Sequence, residues 1–162
     1  MNILLSVDRT TDLPSPTDDA IQVWVSRVLS QAVDLSGEMP EVSIRITDST
    51  EAAQFNQTYR AKAGPTNVLS FPADLPPEAA SGLLGDLVIC APLVQREAAQ
   101  QRKSEEAHWA HLVVHGVLHL LGHDHQAPAE AKRMEALEIN LLSCLGFPNP
   151  YETEQPPEGA GS

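Results

Sequence analysis

Residues 105–125 read EEAHWAHLVVHGVLHLLGHDH, and this segment carries the most informative pattern of the chain. Valine and leucine occupy almost every direction around its helical wheel except one stripe of histidines. This pattern predicts a buried helix over residues 105–121. Buried imidazoles need polar partners, and metal ligation supplies them. The segment therefore predicts both the centre of the hydrophobic core and a metal site at the end of a central helix.

The spacing of the histidines defines the predicted metal site. His115 and His119 are four residues apart, so their Cβ atoms lie about 6 Å apart on one helical face. Gly122 can adopt the left-handed conformation that ends a helix and turns the chain back. Either His123 or His125 can then add a third nitrogen, and spacing alone does not choose between them. Three imidazoles leave one position open for water, as in catalytic zinc sites.

The other polar residues of this stretch have less certain roles. His108 and His111 are expected to hydrogen-bond to neighbouring groups, with support of a metal ligand as the alternative. Asp124 is either such a supporting carboxylate or a solvated turn residue. Gly116 stands where HExxH peptidases carry their general base, which argues against a peptidase of that kind. The metal itself then has to activate the nucleophile or polarise a phosphoryl oxygen.

The remaining sequence predicts a mixed sheet with packed helices, an α/β (α+β) single domain over residues 1–151. Residues 152–162 are expected to form a disordered acidic, proline-rich tail. Strands are predicted at residues 2–7, 41–47, 66–71 and 86–90. Further helices are predicted from Ser15 as the cap through residue 32, from a capping box at Asp48 and Glu51, and over residues 92–101 and 130–145.

Composition limits the class of protein. The 162 residues carry 10 basic against 22 acidic side chains, a net charge of −12, which argues against a protein that coats nucleic acid. Cys90 and Cys144 cannot build a disulfide framework or a thiolate metal site, so they indicate a reducing compartment. Neither a membrane span nor a secretory signal is apparent. We therefore expect a cytoplasmic protein.

The segment HGVLHLLGHDH at residues 115–125 closely resembles the HGxLHLxGxDH motif of the YbeY family, bacterial endoribonucleases that mature ribosomal RNA. PTNVLSFP at residues 65–72 and LGDLVIC at residues 84–90 are also similar to that family. The resemblance implies a mixed sheet with surrounding helices and one Zn²⁺ per chain bound by His115, His119 and His125. It also implies that His123 is not a ligand, because it falls on a variable position of the motif.

The resemblance further implies activity on single-stranded RNA, in maturation of the 3′ end of 16S rRNA and in ribosome quality control. It assigns a catalytic role to Arg60, whose guanidinium could hold a phosphate by two hydrogen bonds. Asn67 and Ser70 are expected to pair with local backbone, and Asp86 either shapes the site or caps a turn.

Two alternatives remain at this point. One is a ribosome-assembly factor with a mainly structural zinc site, whose acidic surface docks on basic small-subunit ribosomal proteins. The other is a zinc hydrolase of amides or small phosphoesters.

Overall fold

The computed structural model describes residues 3–32, 39–60, 66–73, 82–123 and 127–151, apart from the side chains of residues 32, 59 and 60. Within these ranges the chain forms four strands and five helices, which alternate in the first half and run consecutively in the second. In chain order they are β1 (Leu4–Arg9), α1 (Asp18–Ala32), β2 (Glu41–Thr47), α2 (Ser49–Arg60), β3 (Val68–Pro72), β4 (Leu83–Cys90), α3 (Ala91–Gln101), α4 (Glu105–Leu120) and α5 (Pro128–Cys144).

The four strands form one mixed sheet in the order β1-β2-β4-β3. Strands β1, β2 and β4 are parallel, and β3 pairs with β4 in the antiparallel direction at the edge. The mixed sheet and packed helices confirm the predicted α+β class. Strand β4 is longer than predicted: it begins at Leu83, which pairs with Glu41. The glycine at residue 85 made the first part of this strand look like a loop.

Capping residues explain where the helices begin. The predicted cap of α1, Ser15, is wrong: Thr17 Oγ1 accepts the hydrogen bond from the backbone N–H of Ala20, whereas Ser15 Oγ accepts from Arg9 Nε. Asp48 caps α2 as predicted, since its Oδ1 accepts from the N–H of Glu51 at 2.8 Å. A Ser104 cap begins α4, and a proline at its first position begins α5 two residues before the predicted start.

Helix α4 lies at the centre of the core. It packs against α1, α3, α5, β3 and β4. Its valines and leucines are almost entirely buried, with Val113, Val114, Val117 and Leu118 at 0% exposure. They meet one face of the sheet, where Ile44 of β2 and other alternating apolar residues also join the core. The prediction of a buried central helix is therefore confirmed.

The opposite face of the sheet is covered only in part. Phe55 of α2 contacts Phe71 of β3 there, with ring centroids 6.2 Å apart. Beside them, a groove is lined by Asp8, Arg45 and Asp86. Among the described residues, no helix combines the length and the apolar character needed to cross a membrane. The predicted tail, residues 152–162, lies outside the described residues.

Candidate metal centre

The histidine face of α4 opens into a cavity of about 660 Å³ between α4, the edge strand β3 and the end of the described chain. This volume lies in the range of small-molecule and cofactor sites. Polar residues from all three sources line the cavity: Thr66, Asn67, Ser70, His111, His115, His119, His123 and Tyr151. Because the rest of α4 is committed to the core, its histidine stripe is the side available to a ligand.

His115 and His119 lie next to each other on the wall of this cavity. Their ring centroids are 4.7 Å apart and the ring planes are inclined by 69°. This proximity follows from the spacing of four residues on a regular helix. The two imidazoles are therefore neighbours on one face of α4, the arrangement that their spacing predicts.

Glu138 of α5 lies directly behind His115 and was not predicted from the sequence. Its side chain is 0% exposed. One oxygen, Oε2, accepts a hydrogen bond from Nδ1 of His115 at 2.6 Å. The other, Oε1, accepts from Nε2 of His111 at 2.9 Å and from the hydroxyl of Tyr151. One buried carboxylate thus receives three donors.

These contacts determine the charge and tautomers of the group. Burial by itself raises the pKa of Glu138, but the hydrogen bonds from His111, His115 and Tyr151 outweigh it and lower that pKa to about 2. Glu138 is therefore an anion that can only accept hydrogen bonds. Nδ1 of His115 consequently carries a proton, so a neutral His115 ring would have its lone pair on Nε2. Burial, together with the Glu138 carboxylate, raises the pKa of Tyr151, so its hydroxyl remains a donor.

The described residues contain one group that could hold a metal ion, namely His111, His115 and Glu138. Their nearest ligand atoms lie within 4.8 Å of one another. The distances within the group favour hydrogen bonding between its members. Two ligand atoms on one zinc ion are about 3.0–3.4 Å apart, given bond lengths of about 2.1 Å. The 2.6 Å contact between His115 and Glu138 is shorter than this. It matches the arrangement in which a carboxylate orients a metal-binding histidine.

The end of α4 turns the chain as predicted. Gly122 has a φ of +96°. The N–H of Gly122 donates to the carbonyl of His119, and the N–H of His123 donates to the carbonyl of Leu118. This pair of hydrogen bonds is the Schellman motif. It places His123 on the wall of the cavity, whereas Asp124 and His125 lie outside the described residues.

A second histidine–carboxylate pair lies nearer the N-terminal end of α4. Nε2 of His108 is 2.8 Å from Oε1 of Glu97, a residue of α3. Burial lowers the pKa of His108 despite the nearby carboxylate, so the ring is neutral and donates to Glu97. Nδ2 of Asn67 donates to the same oxygen at 3.1 Å. The prediction of hydrogen-bonded histidines at residues 108 and 111 agrees with these contacts.

The polar residues around β3 differ from the prediction. Asn67 and Ser70 were expected to pair with local backbone. The side chain of Asn67 instead reaches Glu97, and Oγ of Ser70 donates to the carbonyl of Gly116 at 3.3 Å. Both residues line the cavity, because Asn67 precedes the strand and is not bound by its alternation. These two contacts fix the edge strand against α3 and α4.

Gly116 allows α4 to approach the sheet. A Cβ atom at this position would lie 2.8 Å and 3.0 Å from the two methyl carbons of Leu87, a fully buried residue of β4. The position therefore faces the core and not the cavity. A glutamate here has no room to act as the general base of an HExxH peptidase, which agrees with the expectation from the sequence.

The remaining predicted residues are distributed as follows. Arg60 is the last residue of α2, and its side chain lies outside the description. Asp86 lies within β4, not at its start, and is exposed on the opposite face of the sheet, away from the histidines. The alternation of side chains along a strand explains this placement. Asp86 therefore does not shape the cavity.

Sequence analysis missed Glu138, Glu97 and Tyr151. One signal was available for Glu138, because it lies four residues after Met134 and three before Leu141, two buried residues of the same helix. A carboxylate at helical spacing within an apolar stripe predicts a buried, partnered acid. Tyr151 offered no comparable signal, since it follows the last helix and its position depends on the tertiary fold.

Comparison with known proteins agrees with this architecture. The family model described as Endoribonuclease YbeY matches residues 7–146. Two curated proteins named Endoribonuclease YbeY, from Pseudomonas putida strains W619 and F1, are 52% and 51% identical over 152 residues. Each alignment covers 93% of this chain and 94% of the relative.

Among solved structures, the fold is similar to the solution structure of TM1509 from Thermotoga maritima, with a TM-score of 0.55 at 17% identity. That alignment covers 92% of this chain and 99% of the other, and it supports the fold alone. The family match over most of the chain and the close relatives lead to one conclusion. This chain belongs to the YbeY family.

Proposed function

We propose that this protein is a zinc-dependent endoribonuclease that cleaves single-stranded RNA and matures the 3′ end of 16S rRNA in the cytoplasm. Its relatives bear the name endoribonuclease. The observation that carries the metal part of the proposal is the hydrogen bond from His115 to the buried Glu138 carboxylate at 2.6 Å. A histidine held in this way offers its other nitrogen to a metal with increased basicity.

The proposed ligands are His115, His119 and His125, with one zinc ion per chain. His115 and His119 provide two imidazoles on one wall of the cavity, with ring centroids 4.7 Å apart. Three neutral nitrogens form a donor set that zinc accepts in catalytic sites, where a fourth position is left for water or substrate. His125 enters the proposal through the family motif, and His123, two residues earlier, lines this cavity.

Zinc in such a site lowers the pKa of a bound water and polarises a phosphoryl oxygen. The residues of this chain supply the rest. Glu138 keeps the proton of His115 on Nδ1 and the ring in one orientation. Arg60, at the end of α2, is proposed to hold the scissile phosphate and to stabilise the charge that develops on it. A local cation of this kind would attract the phosphate although the net charge of −12 repels RNA on average.

A test of the ligand set uses variants that separate the two possible groups. His119→Ala should lose stoichiometric zinc, whereas His111→Ala should retain most of it because His111 only supports Glu138. The reverse result, with zinc lost in His111→Ala and retained in His119→Ala, would place the ion between His111, His115 and Glu138. His125→Ala and His123→Ala test the third ligand in the same way: zinc should be lost in the first and kept in the second.

A second test addresses the activity. Metal-free and zinc-loaded protein are compared on a single-stranded RNA and on the same RNA annealed to its complement. We expect cleavage of the single strand by the zinc-loaded protein only. Zinc-loaded protein that binds stoichiometric metal and cleaves neither RNA would contradict the proposal and favour an assembly factor with a structural zinc.

A further inference from the structure

We propose that Tyr151 is a positioning residue of the metal centre: its hydroxyl, bonded to Glu138, fixes the carboxylate that orients His115. The inference rests on the proposed function in one respect, namely that His115 binds the metal. It adds a residue from the end of the described chain to the group that His111 and His115 of α4 form with Glu138 of α5.

The distribution of donors around Glu138 is the first argument. Oε2 accepts only from His115 among the described contacts, whereas Oε1 accepts from both His111 and Tyr151. A buried carboxylate can rotate about its Cγ–Cδ bond unless both oxygens are fixed. His111 and His115 each hold one oxygen, and the Tyr151 hydroxyl adds a second donor to Oε1, which further restricts the plane of the carboxylate and with it the direction of the His115 ring.

Tyr151 itself is held in place by contacts of the segment that follows α5. The chain leaves α5 through Gly146, and the N–H of Phe147 donates to the carbonyl of Leu142 at 2.8 Å. Lys103 Nζ donates to the carbonyl of Pro150 at 2.6 Å. Asn149 Oδ1 accepts from the N–H of Tyr151 at 2.8 Å. These contacts define a C-terminal strap, residues 146–151, that brings the phenol to Glu138.

The burial of the two partners gives a further argument. Tyr151 is 45% exposed, so its ring contributes little to the core. Its hydroxyl nevertheless reaches a carboxylate that is 0% exposed. The ring also forms a T-shaped contact with His111, with centroids 5.4 Å apart. A half-exposed tyrosine whose hydroxyl contacts a buried acid is better placed to orient that acid than to fill space in the core.

The test uses Tyr151→Phe, which removes the hydroxyl and keeps the ring. We expect the Kd for zinc, measured by competition with a chromophoric chelator, to rise about threefold to tenfold. This is less than the roughly 10- to 100-fold that accompanies loss of an outer carboxylate itself. In the metal-free protein, we expect the Nδ1 proton of His115 to exchange faster with solvent by NMR, because its acceptor is less firmly held.

A double-mutant cycle tests whether Tyr151 acts through Glu138. In Glu138→Gln, the further substitution Tyr151→Phe should change the zinc Kd far less than it does in the wild-type background. Equal effects in both backgrounds would overturn the proposal, because Tyr151 would then act independently of Glu138.

Lys103→Met is the matched control, since it removes a contact of the same strap and leaves the hydroxyl in place. Because the other contacts still hold the strap, this variant should lower the melting temperature and raise the zinc Kd less than Tyr151→Phe does. A zinc Kd raised equally by Lys103→Met would refute a specific role of the hydroxyl. A Tyr151→Phe variant with lower thermal stability but wild-type zinc Kd and proton exchange would show that Tyr151 is only structural.

Failure of the proposed function gives a different result. If zinc does not bind at His115, then His115→Ala leaves the zinc Kd unchanged, whatever Tyr151→Phe does. The exchange rate of the His115 Nδ1 proton in the metal-free protein still tests the positioning role in that case. Unchanged exchange in Tyr151→Phe would then overturn the inference by itself.

Discussion

Replacement of Glu138 by glutamine tests the central contact of the candidate site. The substitution keeps the shape of the side chain and removes its charge. In the wild-type protein, the Glu138 carboxylate accepts hydrogen bonds from three donors, on His111, His115 and Tyr151. A glutamine offers one acceptor oxygen and one N–H₂ group, so at least one of these donors would face another donor.

The expected loss of stability follows from this count. A hydrogen bond to a charged group contributes about 1.5–3 kcal/mol. Loss of one or two of them is partly offset because the buried site no longer contains a charge. We expect a net loss of about 2–4 kcal/mol in the free energy of unfolding of the metal-free protein. For a domain of this size, that loss lowers the melting temperature by roughly 5–15 °C.

The expected effect on metal binding is separate from stability. A carboxylate behind a metal-binding histidine typically changes metal affinity by roughly 10- to 100-fold. The zinc Kd of Glu138→Gln should therefore rise by about that factor, equivalent to about 1.4–2.7 kcal/mol. Competition with a chelator measures the Kd, and thermal unfolding of metal-free protein measures the stability.

Glu97→Gln is the matched control, because Glu97 also accepts a hydrogen bond from a histidine of α4 but has no contact with His115. Its side chain is 25% exposed, so its loss should cost less stability than the loss of the fully buried Glu138. Its zinc Kd should equal that of the wild type. An unchanged zinc Kd in Glu138→Gln, or an equal change in both variants, would refute the assignment of Glu138 to the metal centre.

Three further predictions follow from the metal, the arginine and a surface ion pair. Removal of zinc by chelation should lower the melting temperature, since a ligand present at 1,000 times its Kd stabilises the folded state by about 4 kcal/mol; an unchanged melting curve after verified zinc removal would contradict this. Arg60→Ala should keep its zinc and its fold but lose most RNA cleavage at matched metal content. Arg60→Lys should retain only part of the cleavage activity, because a point charge cannot make the two parallel hydrogen bonds of a guanidinium. Wild-type cleavage by Arg60→Ala would remove Arg60 from the site. Hydrogen bonds from Arg45 and Thr10 lower the pKa of Glu51 below its reference value of 4.5. Their stabilising contribution is therefore present above about pH 4.5 and is lost as the pH falls through the lower pKa of the folded state. The melting temperature of Glu51→Gln should depend less on pH below 4.5 than that of the wild type.

Much of the fold could be predicted because its main element carries its own signal. Because apolar residues cover most of the surface of α4, the helix has to be buried in the core. The position of Gly122 marks its end. The residue at which β4 begins could not be predicted from the local sequence. Its first residues form a strand because Glu41 and Pro72 pair with Leu83 and Gly85 across the sheet, and such pairing is set by the fold and not by local preference.

The candidate site was predictable only in part for the same reason. The spacing of His115 and His119 is local to one helix and could be read directly. Glu138 comes from another helix, and Tyr151 comes from a segment with no regular structure. Their meeting with His115 depends on how α5 packs on α4, a relation between distant parts of the sequence that no local pattern encodes.

The close approach of Gly116 to Leu87 also limits how this site can change during evolution. In metallopeptidases with the HExxH motif, a glutamate follows the first histidine, whereas Gly116 occupies that position here. The two motifs differ at this position by a single residue. That exchange would have to push a glutamate side chain into methyl groups that lie 2.8 Å and 3.0 Å from where its Cβ would stand. The helix would have to rotate or move away from the sheet before the new acid could reach the cavity, and the contact between Ser70 and the carbonyl of Gly116 would be lost with it. Two metal-site scaffolds that look adjacent in sequence are therefore separated by a packing barrier, and a designer seeking a general base here would do better to place it on β3, which also lines the cavity.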